Sequence, residues 1–509
     1  MAVTIERPEG LDAAADDGLG EPEPPSIEPP VAIDGADDRP PAHQRWLDFA
    51  VPIALFVGTI VSRLPMLTRP SAFVFDEIYY ALDGASIAQQ GVEKGGVVHP
   101  PVGKWLIAIG IRIYGFSPFG FRCVALLCGA IVVVLVYASA RRVVRGHALP
   151  ALAAMLAALD GIAFTTGRVA MLDVFVALFT MLAVYFTLSA VHHADDARLV
   201  RRYRWATAVA LGFGLGTKWT IGYVLLVCLI GFLAVHARTR GEERQGRAVI
   251  RTILTLVVVP PLIYVACYLP WMVLIDRTAA GYDSCHDKHV CSFSILDRIE
   301  MFKDDQVRIL DFHTGLLSDH NSNADFAYYW IDQSAPAVLF RKVCVPELQQ
   351  APSDLRDHAC DGAAPGDVME IATVANPVVW YVGLAAGIVL LVKVVRRGNI
   401  YALLLLLFFF YQWVPWVIDP FAIKDAVLHG QWHDVLQQRR AYSFYEASMI
   451  PVLAIWPAVA LDRTRVKWLG YVVAGAALAA FLYYWPVWAG YPMSPAQIKA
   501  REYWTAWSR

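Results

Sequence analysis

Eleven stretches of this chain are apolar almost throughout, near 46–64, 119–140, 148–166, 169–191, 204–217, 219–236, 251–275, 377–394, 400–418, 441–460 and 466–488. A hydrocarbon core of about 30 Å takes roughly 20 apolar residues of helix. Backbone surrounded by lipid must also satisfy its own hydrogen bonds. Together these conditions predict an all-α polytopic membrane protein of about eleven transmembrane helices. Composition agrees, since 57% of the 509 residues are hydrophobic and 17% charged, unlike a soluble globular chain. The 204–217 run is short and glycine-rich (ALGFGLGTKW) and reads as a pinched helix ending at a functional site. A further run, WLIAIGIRIYGF at 105–116, is too short to span and carries Arg112, so an interfacial helix is expected there.

Residues 1–45 are acidic and proline-rich, nearly without aromatics. Such a segment buries too little apolar area to offset its ordering entropy, and it reads as a disordered cytoplasmic tail. It has no basic n-region followed by an apolar h-region, so it is not a cleaved signal peptide. Residues 46–509 form the transmembrane domain. Basic clusters at 141–147, 198–204, 238–247, 393–399 and 462–467 fall on alternate connections, which the positive-inside rule assigns to the cytoplasm. The N-terminus is then cytoplasmic. A first external loop at 65–118, a large external loop at 276–376, Arg168 and Lys218 face the other side. A net charge of -2 and the lack of a basic, aromatic-interleaved tract give no nucleic-acid signature.

The eight cysteines divide along the same line. Cys123, Cys128, Cys228 and Cys267 lie in apolar runs and read as packing residues. Cys285, Cys291, Cys344 and Cys360 lie in the large external loop, where an even set implies one or two disulfides. Their spacing is not a zinc pattern, and no metal is expected.

Polar residues gather on the external side. In FVFDEIYY, Asp76 and Glu77 stand among aromatics soon after the first run. A partly desolvated carboxylate there suits a general base. Two acids can equally well cap an interfacial helix, and spacing does not separate the readings. In VVHPPVGK, two prolines set a rigid entry to a helix and leave Lys104 in its first turn, an anion site by charge and free N–H groups. His99 either binds an anion or satisfies a backbone carbonyl. In GRVAMLD, Arg168 occupies a short turn and Asp173 enters the next span, where an acid is costly unless paired, so an Arg168–Asp173 contact or a polar site is expected. Lys218 in GLGTKW reads as a snorkelling or a placed cation. Arg439 and Arg440 precede the tenth run. Cations with an acid at the depth of lipid phosphates suit a phosphate-linked lipid donor.

These motifs resemble the actinobacterial-type bacterial protein O-mannosyltransferases, membrane enzymes of GT-C fold that use a polyprenyl-phosphate-mannose donor. FDEIYY at 75–80, HPPVGKWLIAIGIRIYGFSPFGFR at 99–122, GRVAMLD at 167–173, GLGTKW at 214–219, FHTGL at 312–316 and RRAYSFYEASMIP at 439–451 carry the likeness. It implies that Asp76 is the catalytic base for a Ser/Thr hydroxyl and that Glu77 positions acceptor or donor. By the same likeness His99 and Lys104 organise the donor loop, with Lys104 near the phosphate. Arg168 and Asp173 support the site, and Lys218 with Arg439 or Arg440 holds the lipid phosphate. Transfer would be inverting and need neither metal nor cofactor. The acceptors would be exported proteins at the plasma membrane, in contact with lipids and the secretion translocon. The segment after FHTGL departs from the family pattern, with His313, His320 and Trp330 left as acceptor-loop candidates. That departure keeps a second acceptor class open, a lipid or cell-wall glycan. A transporter would show two related halves and midplane polar sites, and neither is present. An inactive partner subunit fits poorly with the retained Asp76 and cations.

Overall fold

Eight helices among the described residues are long and apolar enough to cross a bilayer, each covering one of the expected runs. The computed structural model describes residues 46–94, 98–238, 242–287, 291–315, 327–333, 336–345, 360, 363–418 and 440–501. The N-terminal tail lies outside them. α1 (Leu47–Arg63) is followed by two helices of the 65–118 loop, α2 (Glu77–Gln90) and α3 (Val102–Tyr114). α4 (Pro118–Ala140) begins with Ser117 accepting from the Gly120 N–H at 3.1 Å and with Pro118 at its first position, a start that needs no further N–H partner there. α7 (Asp173–His192) is the bundle's centre, with 72% of its span buried against 11% for the first span. That contrast explains why α7 is apolar all round.

The three remaining runs do not form long apolar helices. The third breaks into α5 (Ala148–Ala158) and α6 (Gly161–Thr166). Asp160 sits at the break and caps α6, accepting from Ile162 and Ala163 N–H at 2.9 and 3.0 Å; its other oxygen accepts from Asn376 N–H at 3.0 Å. The fifth becomes α8 (Ala197–Leu215), whose first half carries four arginines. The tenth starts with a tight 3-10 turn at Ser443–Ser448 before two short helical pieces reach Leu461. α9 (Gly222–Arg238) and α10 (Glu242–Cys267) complete the first half, with α11 (Leu269–Val273) at the end of the seventh run.

The 276–376 loop is not all helical. After α12 (Ala279–Asp287) and α13 (Ile295–Gly315) come two antiparallel strands, β1 (Ala337–Val343) and β2 (Val368–Thr373). They pair from Ala337 opposite Thr373 to Val343 opposite Val368, with a bulge between Val338 and Phe340. β2 is buried along its whole length. Ala337, Leu339 and Ile371 pack with Val74, Val169, Met171 and Phe444, so the sheet roofs the segment that leads into α2. α14 (Pro377–Arg397), α15 (Ile400–Val417), the short α16 (Ile450–Leu453) and α17 (Trp456–Leu461), α18 (Leu469–Ala489) and α19 (Pro495–Lys499) follow.

Candidate active site

The segment between α1 and α2 is held by two fully buried arginines that donate to its carbonyls. Arg122 on α4 reaches Leu67 O at 3.1 Å, Pro70 O at 2.8 Å and Ala72 O at 3.1 Å. Arg168 reaches the carbonyls of Met66 and Arg69, and Trp488 O at 3.1 Å. Arg122 also grips Glu77, with Nε to Oε1 at 2.7 Å and Nη2 to Oε2 at 2.6 Å. The same carboxylate accepts from Val74 N–H at 2.8 Å and Ala170 N–H at 2.7 Å. Glu77 is thus fully buried with both oxygens doubly used, so any positioning of acceptor or donor by it runs through the loop that it holds. It fixes the loop on α4 and on the 167–173 turn.

Asp76 takes the opposite part. It stands at the N-cap of α2, yet its side chain makes no capping hydrogen bond. Its carboxylate is half-buried. Burial pushes its proton affinity up, Lys218 pulls it down, and Asp173 and the Tyr80 hydroxyl beside it act in opposite senses. The residue before it, Phe75, has φ +50°, a backbone state that costs a non-glycine residue about 1–3 kcal/mol and is found where surroundings over-determine it. Here the rings of Tyr442 and Phe444 meet Phe75 edge-on, each at 5.5 Å. The adjacent acids have separate jobs: one locks the loop, the other is presented by it.

Lys218 lies at the end of the α8 turn and is 6% exposed. Its Nζ is 3.0 Å from Asp173 Oδ1 and 4.4 Å from the centroid of Tyr445, which stacks on Trp416 at 4.5 Å. The expected Arg168–Asp173 contact does not form, because Arg168 is committed to carbonyls and Lys218 reaches the acid first. Beside the pair, Asp173, Thr220, Tyr223, Gln412, Trp416 and Tyr445 line a cleft. Gln412 is 5% exposed in the otherwise apolar α15, where its amide donates to the Phe408 carbonyl one turn back while the side chain lines the cleft.

The motif glycines bring this turn against α3. Val102 N–H donates to Gly216 O at 2.8 Å. A Cβ on Gly103 would stand 2.6 Å from Leu172, and one on Gly216 would stand 2.6 Å from Val102. A side chain at either position would push Leu172 or Val102 out of place, which accounts for Gly103 of HPPVGK and Gly216 of GLGTKW.

Lys104 is not the anion clamp that its helix position suggested. It is 1% exposed, with Nζ 2.9 Å from Asp83 and 3.5 Å from Glu93. Its ammonium is enclosed between the two acids, outside the cleft that Asp173 and Tyr445 line. Glu93 is pushed up to about 7 by burial, against the pull of Lys104 and with the push of Asp83 and Asp305. His99 is 8% exposed, its ring 6.0 Å from Tyr80 and 4.8 Å from His313. His313 Nε2 meets Val98 O at 2.9 Å, tying the end of α13 to the HPP entry.

Trp330 is buried, and its indole N–H donates to Ala441 O at 3.2 Å. It anchors the 276–376 loop to the bundle, its ring 6.4 Å from that of Trp416 in the cleft. Arg440 is half-exposed at the start of the tenth segment, while Arg439 and His320 lie outside the described residues. The four cysteines of the 276–376 loop pair as Cys285–Cys291 and Cys344–Cys360. Arg122, Tyr445, Glu93 and Gln412 were missed by motif reading. Arg122 closes the FGFR stretch of the long quoted motif and Glu93 lies between the acid pair and HPP, so charge balance within those stretches was the signal available.

A family model described as dolichyl-phosphate-mannose-protein mannosyltransferase matches residues 98–264. The polyprenol-phosphate-mannose–protein mannosyltransferase of Mycobacterium tuberculosis is 28% identical, over 96% of this chain and 97% of its own. That of Corynebacterium glutamicum is 24% identical, over 84% and 85%. Among solved structures, the Saccharomyces cerevisiae protein O-mannosyltransferase Pmt1–Pmt2 complex bound to the sugar donor matches with a TM-score of 0.67 at 12% identity, covering 90% of this chain and 92% of that one. A likeness of that kind establishes the shared GT-C membrane fold.

Proposed function

We propose that this multi-pass membrane glycosyltransferase, a member of the protein O-mannosyltransferase family, transfers mannose from polyprenyl-phosphate mannose to Ser/Thr hydroxyls of proteins. The observation that carries the reading is the division of labour between adjacent acids. Glu77 is consumed by four donors, whereas Asp76 is held uncapped beside the Lys218–Asp173 pair.

In this reading the sugar occupies the cleft beside Asp173 and Gln412, and the acceptor hydroxyl lies against Asp76. The hydroxyl oxygen forms a bond to the anomeric carbon as the bond from that carbon to the phosphate oxygen breaks. The hydroxyl proton passes to the Asp76 carboxylate, and the bonding pair leaves with the lipid phosphate. Attack opposite the leaving group inverts the anomeric centre. Lys218, with the arginines at 439–440, meets the charge of the departing phosphate without a metal, a fixed cation in a water-poor site being most effective where charge develops. The raised proton affinity of Asp76 suits a base that must accept a proton yet start ionised.

The orientation that accompanies this reading puts the N-terminus in the cytoplasm and the site on the outer face of the plasma membrane, where exported chains leave the translocon. Membranes carrying the protein, supplied with labelled polyprenyl-phosphate mannose, are expected to place label in protein. Label confined to lipid or polysaccharide would replace the protein acceptor by a glycan one. No transfer at all would remove the reading.

A further inference from the structure

α13 presents a row that the site does not explain. Leu296, Ile299, Lys303, Val307 and Leu310 recur at three- and four-residue spacing and are all exposed, Leu296 at 73%. Such spacing puts them on one face of a helix. The opposite face is buried: Phe302 meets Tyr268 at 5.0 Å, and Asp305 and Ile309 are enclosed. Glu300, Asp304 and Asp311 are exposed beside the row. At the start of the helix, Arg298 donates to the carbonyls of Met272 and Val273. Those carbonyls close the seventh apolar run, where Leu269 and Val273 are themselves exposed, at 53% and 66%.

We propose that α13 is a lipid-seated helix, with Leu296, Ile299, Val307 and Leu310 in the interfacial layer of the leaflet into which the seventh span emerges. Two observations choose lipid as the occupant. The row is continuous, through the Arg298 contacts, with the apolar surface of a span that already faces lipid. Lys303 stands in the middle of the row. A protein partner would have to supply a carboxylate to bury that ammonium, whereas at a lipid surface its stem lies along the apolar layer and its head reaches phosphate with no matched partner needed. Seating α13 at this depth also sets the height of His313, and through Val98 that of the HPP entry. The inference is independent of which sugar or acceptor the enzyme uses.

The full chain in phosphatidylcholine–phosphatidylglycerol vesicles tests it. Four native cysteines are paired and four are buried, so a nitroxide on one introduced surface cysteine reports a single site. Labels at Leu296→Cys, Ile299→Cys, Val307→Cys and Leu310→Cys are expected to collide with oxygen several-fold more than with a water-soluble nickel chelate. Labels at Glu300→Cys, Asp304→Cys and Asp311→Cys are expected to reverse that preference. Nickel reaching the row as freely as the acidic flank would overturn the proposal. Exclusion of both reagents with spin–spin broadening would do so too, and would put a second copy of the chain there. Each position is read only in protein eluting as wild type, and the four-fold redundancy of the row lets one misfolded variant be dropped.

Discussion

Glu77→Gln separates the structural acid from the chemical one. The carboxylate accepts two N–H groups on each oxygen: Arg122 Nε and Ala170 N on Oε1, Arg122 Nη2 and Val74 N on Oε2. A glutamine keeps only one acceptor oxygen. Whichever way its amide turns, the NH2 faces two donors, and Arg122 remains fully buried without its counter-charge. Breaking a buried pair from one side costs about 3–5 kcal/mol, a large share of the roughly 5–15 kcal/mol that holds a folded domain. The expected result is a Tm several degrees lower and a matching loss of transfer. Asp76→Asn should leave Tm close to wild type, since its side chain caps nothing. Thermal unfolding in nanodiscs, followed by reactivity of the buried cysteines, reads both. An unchanged Tm for Glu77→Gln together with lost transfer would refute the lock and return Glu77 to the chemistry.

Glu93 titrates near 7 in the folded protein against an ordinary 4.5, so the native state holds its proton more tightly than the unfolded chain. Its stabilising contribution is full below about 4.5 and is lost as pH rises through 7; Glu93→Gln should flatten Tm between pH 5 and 8 and raise it at pH 8, and parallel curves would contradict this. Lys104→Met leaves Asp83 and Glu93 buried together, so Tm should fall by several degrees while the KM for donor in the folded fraction stays within about twofold of wild type (a change under roughly 0.4 kcal/mol). Adding Glu93→Gln should recover part of the stability, and a selective rise in donor KM would restore Lys104 as a phosphate ligand. Lys218→Ala is expected to weaken donor use at least tenfold, about 1.4 kcal/mol or more, and acceptor use little; equal effects on both would argue against a phosphate contact.

Hydropathy made the membrane architecture legible, because lipid leaves the backbone few options. Spacing also located Asp76, Asp173 and Lys218 in one region, and the structure brings them together. What it did not convey is who pairs with whom. Arg168 and Asp173 are five residues apart, yet Asp173 bonds Lys218, from 45 residues on, since Arg168 is drawn to carbonyls from both ends of the chain. Lys104 read as an anion site because helix-start geometry is local, whereas its pairing with Asp83 and Glu93 depends on α2 and the segment after it folding back onto α3. The two-stranded sheet escaped notice for a similar reason. AVLFRKV and VMEIAT are short, separated by the Cys344–Cys360 segment, and become strands only by pairing with each other over Val74 and Phe444.

Transfer of labelled mannose by purified Asp76→Asn, reconstituted with polyprenyl-phosphate mannose and a Ser/Thr acceptor peptide, tests the base most directly. Removing a general base of this kind costs typically 10²–10⁴-fold, so product should fall by at least a hundredfold while donor binding and Tm stay near wild type. Transfer within a few-fold of wild type would mean that the proton goes elsewhere and that the division between Asp76 and Glu77 has no chemical meaning.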